Sequence, residues 1–174
     1  KKREERMLQL ARLDSLTGLY NKASTEKSIN DLLSRPSQPD AIHALLMIDI
    51  DAFKEVNDSF GHATGDEVIK ELGNTLKSSF RTTDVCGRIG GDEFVVFLQN
   101  IPSREWLEGQ ARELIGRLRK DVYADGETRA ISVSIGIALY PEEGEDFAAL
   151  YKKADAALYL SKKQGKNRYS LFGK

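Results

Sequence analysis

Apolar and small residues alternate strictly from Ile131 to Leu139. Ile131, Val133, Ile135, Ile137 and Leu139 share one side, and Ser132, Ser134, Gly136 and Ala138 share the other. This period of two predicts one strand with a bulky face and a small face. A continuous apolar run from Ala44 to Ile48 predicts another strand over about 42–50, leading into Asp49-Ile50-Asp51. Residues 85–89 and 93–98 predict a hairpin around Gly90-Gly91, with a tight two-residue turn whose glycines take positive φ. Elsewhere the period is helical. Val68, Ile69, Leu72 and Leu76 mark a helix over about 65–80, after a short helical stretch near Phe53 and a break at Gly61. Trp106, Leu107, Ala111, Leu114, Ile115 and Leu118 mark a second amphipathic helix. Phe147, Leu150, Tyr151, Ala154 and Leu158 mark a third, ending near Gly165. Further helices are expected over about 1–13 and 24–34, and a short closing strand over 169–172. Helices mixed with a central hairpin and non-local strands predict an α+β fold, with helices covering a mostly antiparallel sheet.

A chain of 174 residues fits one domain with a sizeable core. A net charge of −1 gives no sign of a nucleic-acid groove or a polybasic membrane patch, and favours a small-molecule substrate. The one cysteine, Cys86, permits no internal disulfide and fits a reducing compartment. It falls in an expected strand and reads as packing. No apolar run has the length of a membrane span. The opening Lys1-Lys2-Arg3-Glu4-Glu5-Arg6 reads as the end of a connecting helix from an upstream module, with the globular domain over 14–174.

The chemistry concentrates in two acidic pairs. Asp49 and Asp51 end the first strand, and Asp92 and Glu93 leave the glycine turn. Carboxylates from neighbouring strands bind a divalent ion beside nucleotide phosphates, a geometry suited to phosphoryl or nucleotidyl transfer. Taken alone, Asp92 reads equally as a turn residue and Asn57 as a helix cap. The lysines read as solvated surface, and Arg81 with Asp84 as a surface ion pair.

Six blocks, in order, resemble the GGDEF domain family of diguanylate cyclases. They are Asp14-Ser-Leu-Thr-Gly-Leu-Tyr-Asn21, Asp49-Ile-Asp-Ala-Phe-Lys-Glu-Val-Asn-Asp58, Phe60-Gly-His-Ala-Thr-Gly-Asp66, Arg88-Ile-Gly-Gly-Asp-Glu-Phe94, Ser134-Ile-Gly-Ile-Ala138 and Ala154-Asp-Ala-Ala-Leu-Tyr159. The resemblance implies a palm-like fold related to nucleotidyl cyclases and polymerases. It implies condensation of two GTP into cyclic di-GMP with release of pyrophosphate. It assigns Mg²⁺, with Mn²⁺ as a substitute, to Asp49, the Ile50 carbonyl and Asp92. Glu93 joins Asp49 and Asp92 at the catalytic centre. Asn57 and Asp66 fall to the guanine edge. Gly61-His62, Lys54, Lys162 and Lys166 fall to the phosphates, with Arg88 near the site.

The same resemblance makes Arg81, Asp84 and Arg112 an inhibitory site for the product. It implies a two-fold homodimer, an upstream sensory domain and no nucleic-acid partner. The expected location is cytoplasmic, with the full-length protein open to membrane anchoring. The chain departs from the usual pattern at Lys166, where arginine is commoner, and at Lys22, also usually arginine, for which no catalytic effect is expected. The alternative is a non-catalytic receptor domain that binds GTP or cyclic di-GMP.

Overall fold

The computed structural model describes residues 1–174. In chain order the elements are α1 (Lys2–Leu10), α2 (Lys22–Leu33), β1 (His43–Ile50), α3 (Phe53–Phe60), α4 (His62–Ser79), β2 (Val85–Arg88), β3 (Glu93–Leu98), α5 (Arg104–Leu118), β4 (Lys120–Ala124), β5 (Glu127–Ile131), β6 (Val133–Tyr140), α6 (Phe147–Lys163) and β7 (Tyr169–Leu171). Five strands form the main sheet in the order β2-β3-β1-β6-β7, antiparallel except for β6 against β7. The expected α+β fold with a mostly antiparallel sheet and covering helices is the fold observed.

β1 runs through the centre of the sheet, which explains its unbroken apolar run. Both of its faces are covered, so alternation has no role there. Leu46, Ile48 and Ile50 join the apolar layer that also holds residues of α3, α4 and α5. Leu45 and Met47 join the layer that also holds residues of α2 and α6. Gly136 lets α6 lie close on β6. A Cβ there would fall 2.1 Å from the Ala154 carbonyl oxygen and 2.2 Å from the Leu158 nitrogen. Cys86 packs against the larger layer, and burial, with the charge of Asp84, pushes its thiol up to about 12.

Three expectations need correction. The alternating run over 131–139 is two strands. The chain passes at Ser132 from β5, in a separate hairpin, into β6 of the main sheet. The break is fixed by Asp51, whose N–H donates to the Ser132 carbonyl at 2.9 Å. The β4–β5 hairpin was absent from the sequence reading, although Asp125-Gly126 signals it. Both residues take positive φ at the turn, 51° and 77°. The glycine turn is also wider than two residues: the last ladder pair is Arg88 with Phe94, and the Ile89 N–H donates to the Glu93 carbonyl at 3.0 Å. Neither Gly90 nor Gly91 is among the residues with positive φ.

None of the residues of α1 is buried, and Met7, Leu8 and Leu10 are exposed. No helix is long and apolar enough to cross a membrane.

Candidate active site

The register of three strands gathers the acids at one end of the sheet. Asp49 lies opposite Glu93 of β3 on one side and Ser134 of β6 on the other. The Ile50 N–H donates to the Asp92 carbonyl at 3.3 Å, which draws the glycine turn against the end of β1. Ala52, in the left-handed region with φ 54°, then turns the chain into α3. α3 carries Asn57, while His62 and Asp66 stand on the first turns of α4. Lys162 reaches the same end from the last turn of α6.

Asp49 is the electrostatic centre. Its Oδ1 is buried and has no hydrogen-bond partner. Burial, a shared hydrogen bond with Asp92, and the like charges of Asp92 and Glu93 push it up to about 7, with the Lys162 ammonium pulling against them. Glu93 is also raised, by burial and by the charges of Asp92 and Asp155, with Lys22 and Lys162 opposing. Lys22 is therefore a cation that bears on Glu93. The Lys162 ammonium donates to the Ile50 carbonyl at 3.3 Å and lies 3.5 Å from Asp49. An orphan carboxylate oxygen, a second carboxylate and a strand-end carbonyl make a hard-oxygen donor set that fits Mg²⁺. No three acidic, His or Cys side chains are arranged to hold one ion together, so the protein supplies only part of an octahedron. Mg²⁺ tolerates this because it keeps water and phosphate ligands.

Asn57 is half-buried against α4, and Gly65 makes room for it. A Cβ on Gly65 would fall 1.9 Å from the Asn57 Oδ1. Lys54, His62, Asp66 and Lys166 are exposed around this end. Lys166 lies in a left-handed turn after α6, with φ 64°.

Arg88 lies beside the glycine turn, and its guanidinium is engaged within the protein. Its guanidinium donates to the Gly90 carbonyl at 3.2 Å and the Gly91 carbonyl at 2.9 Å. It also donates to both oxygens of Asp14, at 3.1 and 3.3 Å. Asp14 accepts in addition from the Thr17 N–H and hydroxyl. Burial alone would raise the Asp14 carboxyl, but these hydrogen bonds and Arg88 hold it below its usual value. Arg88 thus braces the glycine turn against the segment that follows α1.

The three residues assigned to inhibition do not come together. Arg81 donates to Asp84 through its backbone and its guanidinium, and reaches the Gln99 carbonyl at 3.0 Å. This pair begins β2, roughly 17 Å along the strand from the glycine turn at about 3.3 Å per residue. Arg112 instead donates to the Tyr169 hydroxyl at 3.0 Å, on β7. β7 is the edge of the sheet opposite β2, so the partner that Arg112 engages is not part of the Arg81–Asp84 pair. Residues of α5 that do approach the end of α4 include Gln110, Glu113 and Arg117, which line a cavity with Ser79 and Phe80.

Comparison with known proteins agrees with this geometry. Residues 11–168 match the family described as Diguanylate cyclase, GGDEF domain. The chain is 39% identical over 154 residues to diguanylate cyclase TpbB of Pseudomonas aeruginosa, covering 88% of this chain and 35% of the relative. It is 36% identical over 168 residues to the bifunctional diguanylate cyclase/cyclic di-GMP phosphodiesterase MucR of the same organism, covering 95% and 24%. A crystal structure of the coiled coil and GGDEF domain of DgcB from Caulobacter crescentus, in complex with c-di-GMP, superimposes with a TM-score of 0.86. It is 27% identical and the match covers 98% of this chain and 90% of that one. The chain belongs to the GGDEF domain family. It spans about a quarter to a third of the length of the curated relatives it matches.

Proposed function

We propose that this domain is a diguanylate cyclase that condenses two GTP into cyclic di-GMP and releases pyrophosphate. The observation that carries the reading is the buried, unpartnered Asp49 Oδ1 beside Asp92, under an intact Gly90-Gly91-Asp92-Glu93-Phe94 turn. Asp49, Asp92 and the Ile50 carbonyl hold Mg²⁺ or Mn²⁺, which when bound stabilises charge on the α-phosphate. Lys162, Lys166, Lys54 and the backbone at Gly61-His62 balance and orient the triphosphate. Asp66 accepts from guanine N1–H and the exocyclic amine, a donor pair adenine lacks, and Asn57 meets the same edge. Glu93, whose carboxyl burial and the charges of Asp92 and Asp155 raise above its usual value, takes the proton of the attacking ribose 3′-hydroxyl. Each 3′-oxygen bonds to the α-phosphorus of the other GTP. The bond from that phosphorus to the β-bridging oxygen breaks, and pyrophosphate leaves.

One domain presents one set of these groups, and the reaction joins two nucleotides. Two domains must face each other with two-fold symmetry. The exposed apolar residues of α1 supply the pairing surface, under the control of an upstream sensory domain. Arg81 and Asp84 bind the product and inhibit. Incubation with GTP and Mg²⁺ followed by product chromatography tests the proposal. Cyclic di-GMP is expected. GTP or cyclic di-GMP binding without turnover, at high domain concentration, would instead establish the receptor reading.

A further inference from the structure

Asp51 stands two residues beyond Asp49, yet its surroundings are the reverse. Its side chain is 5% exposed. Oδ1 accepts from the Ser134 hydroxyl at 2.6 Å and the Lys162 ammonium at 2.8 Å. Oδ2 accepts from the Ser132 hydroxyl at 2.7 Å and the Asn167 backbone N–H at 3.0 Å. A carboxylate offers about four lone-pair sites, and all are taken here. Asp51 is therefore a saturated acceptor beside a carboxylate that has an oxygen to spare.

The groups it holds are distant in sequence and converge on the phosphate side of the site. Ser132 and Ser134 belong to the junction of β5 and β6. Lys162 ends α6. Asn167 closes a turn in which Gly165, Lys166 and Asn167 all have positive φ, at 122°, 64° and 50°. Consecutive non-glycine residues rarely adopt that region, and it persists only where surrounding contacts impose it. The Lys166 N–H is tied to the Ser161 carbonyl at 3.0 Å, and the Asn167 N–H to Asp51. The bond to Asp51 is the one hydrogen bond that the Asn167 N–H makes.

We infer that Asp51 is a positioning residue for the triphosphate, fixing Lys162 and the Lys166–Asn167 turn as one cationic wall beside Asp49 and taking no part in metal ligation. The inference rests on the reading of this end of the sheet as a GTP site. Asp51→Asn replaces an acceptor oxygen with a donor facing other donors. In the ligand-free domain the Asn167 amide should then exchange with solvent about tenfold or more faster, while amides of central β1 keep their protection. Affinity for a non-hydrolysable GTP analogue with Mg²⁺ should fall about tenfold to a hundredfold, as for other residues that orient direct ligands. Guanosine, which lacks phosphates, should bind as in wild type by NMR titration. Mg²⁺ affinity should hold in Asp51→Asn and collapse in Asp49→Asn. Ser132→Ala removes one of the four bonds, and should give the same pattern at smaller amplitude if Asp51→Asn does not fold. Equal losses for the analogue and guanosine would make Asp51 merely structural. Unchanged exchange at Asn167 would remove the anchor, and lost Mg²⁺ affinity would make Asp51 a ligand. If wild type binds no GTP analogue, the GTP reading and the triphosphate role fall together, whereas exchange at Asn167 still decides whether Asp51 holds the turn.

Discussion

Asp49 and Asp51 show how one strand end gives the same side chain two chemical states. Asp51 meets four donors and stays ionised, while Asp49 meets other acids and is raised to about 7. The consequence for pH follows from the sign of the Asp49 shift. A carboxyl that ordinarily titrates near 3.8 binds its proton more tightly in the fold. Its contribution to metal-free stability is therefore complete below about pH 4 and is lost as pH rises through about 7. Mg²⁺ needs the ionised form, so its affinity should climb over the same window and level above about pH 7. Thermal melts of wild type and Asp49→Asn, in chelator and in Mg²⁺, isolate the effect. The difference between the two proteins in chelator should shift against wild type from about pH 4 to about pH 8. A flat difference would remove the carboxylate pair as its source. Asp49 and Asp92 were legible because their types and spacing carry the chemistry. The saturation of Asp51 was not, since Ser132, Ser134, Lys162 and Asn167 are far along the chain.

At the scale of elements, two close approaches set what the site can do. α3 and α4 meet where Gly65 faces Asn57. Gly65→Ala is expected to displace the Asn57 amide and cut affinity for a GTP analogue about tenfold, the loss of roughly one hydrogen bond's free energy. Calorimetry is the measurement, with circular dichroism confirming that the helices persist. α6 meets β6 at Gly136, where the obstructing atoms are backbone and cannot swing aside. Gly136→Ala should destabilise the domain by about 3 kcal/mol, read from denaturant melts. The helices and the main strands were readable from their periods. The break at Ser132 was not, because alternation continues through it and only the Asp51 backbone contact shows that two sheets share the run. The β4–β5 hairpin carried its own signal in Asp125-Gly126, but its strands are short and send only Val122 and Ile131 into the core.

For the whole molecule, the controlling fact is distance. Arg81 and Asp84 lie at the opposite end of β2 from the glycine turn, so under the proposed function product bound there would leave the GTP site open and would act by constraining domains or the strand between them. Arg81→Ala should relieve product inhibition and leave the initial rate nearly unchanged. Progress curves with added cyclic di-GMP decide this, and undiminished inhibition would leave the pair as a surface ion pair. Arg112→Ala should change inhibition far less, because Arg112 faces Tyr169 at the other edge. Turnover per domain should also rise with concentration over about a hundredfold dilution series, and further when a parallel coiled coil is fused ahead of Leu13. Activity that stays flat across the series would count against pairing.

The sequence by itself determined the elements, the α+β class and the family, because hydrophobic period and the spacing of a few acids and glycines are local properties. It also named the residues proposed to carry metal, base and phosphate chemistry. Tertiary structure decided how those residues are employed. It engaged Arg88 with Asp14 and the glycine carbonyls, paired Arg112 with Tyr169 and Arg81 with Asp84, and saturated Asp51 while leaving Asp49 an unpaired oxygen. These outcomes depend on strand order and on which side chains meet across it. Ionisation and hydrogen bonding respond to neighbours in space, and a linear pattern does not contain them.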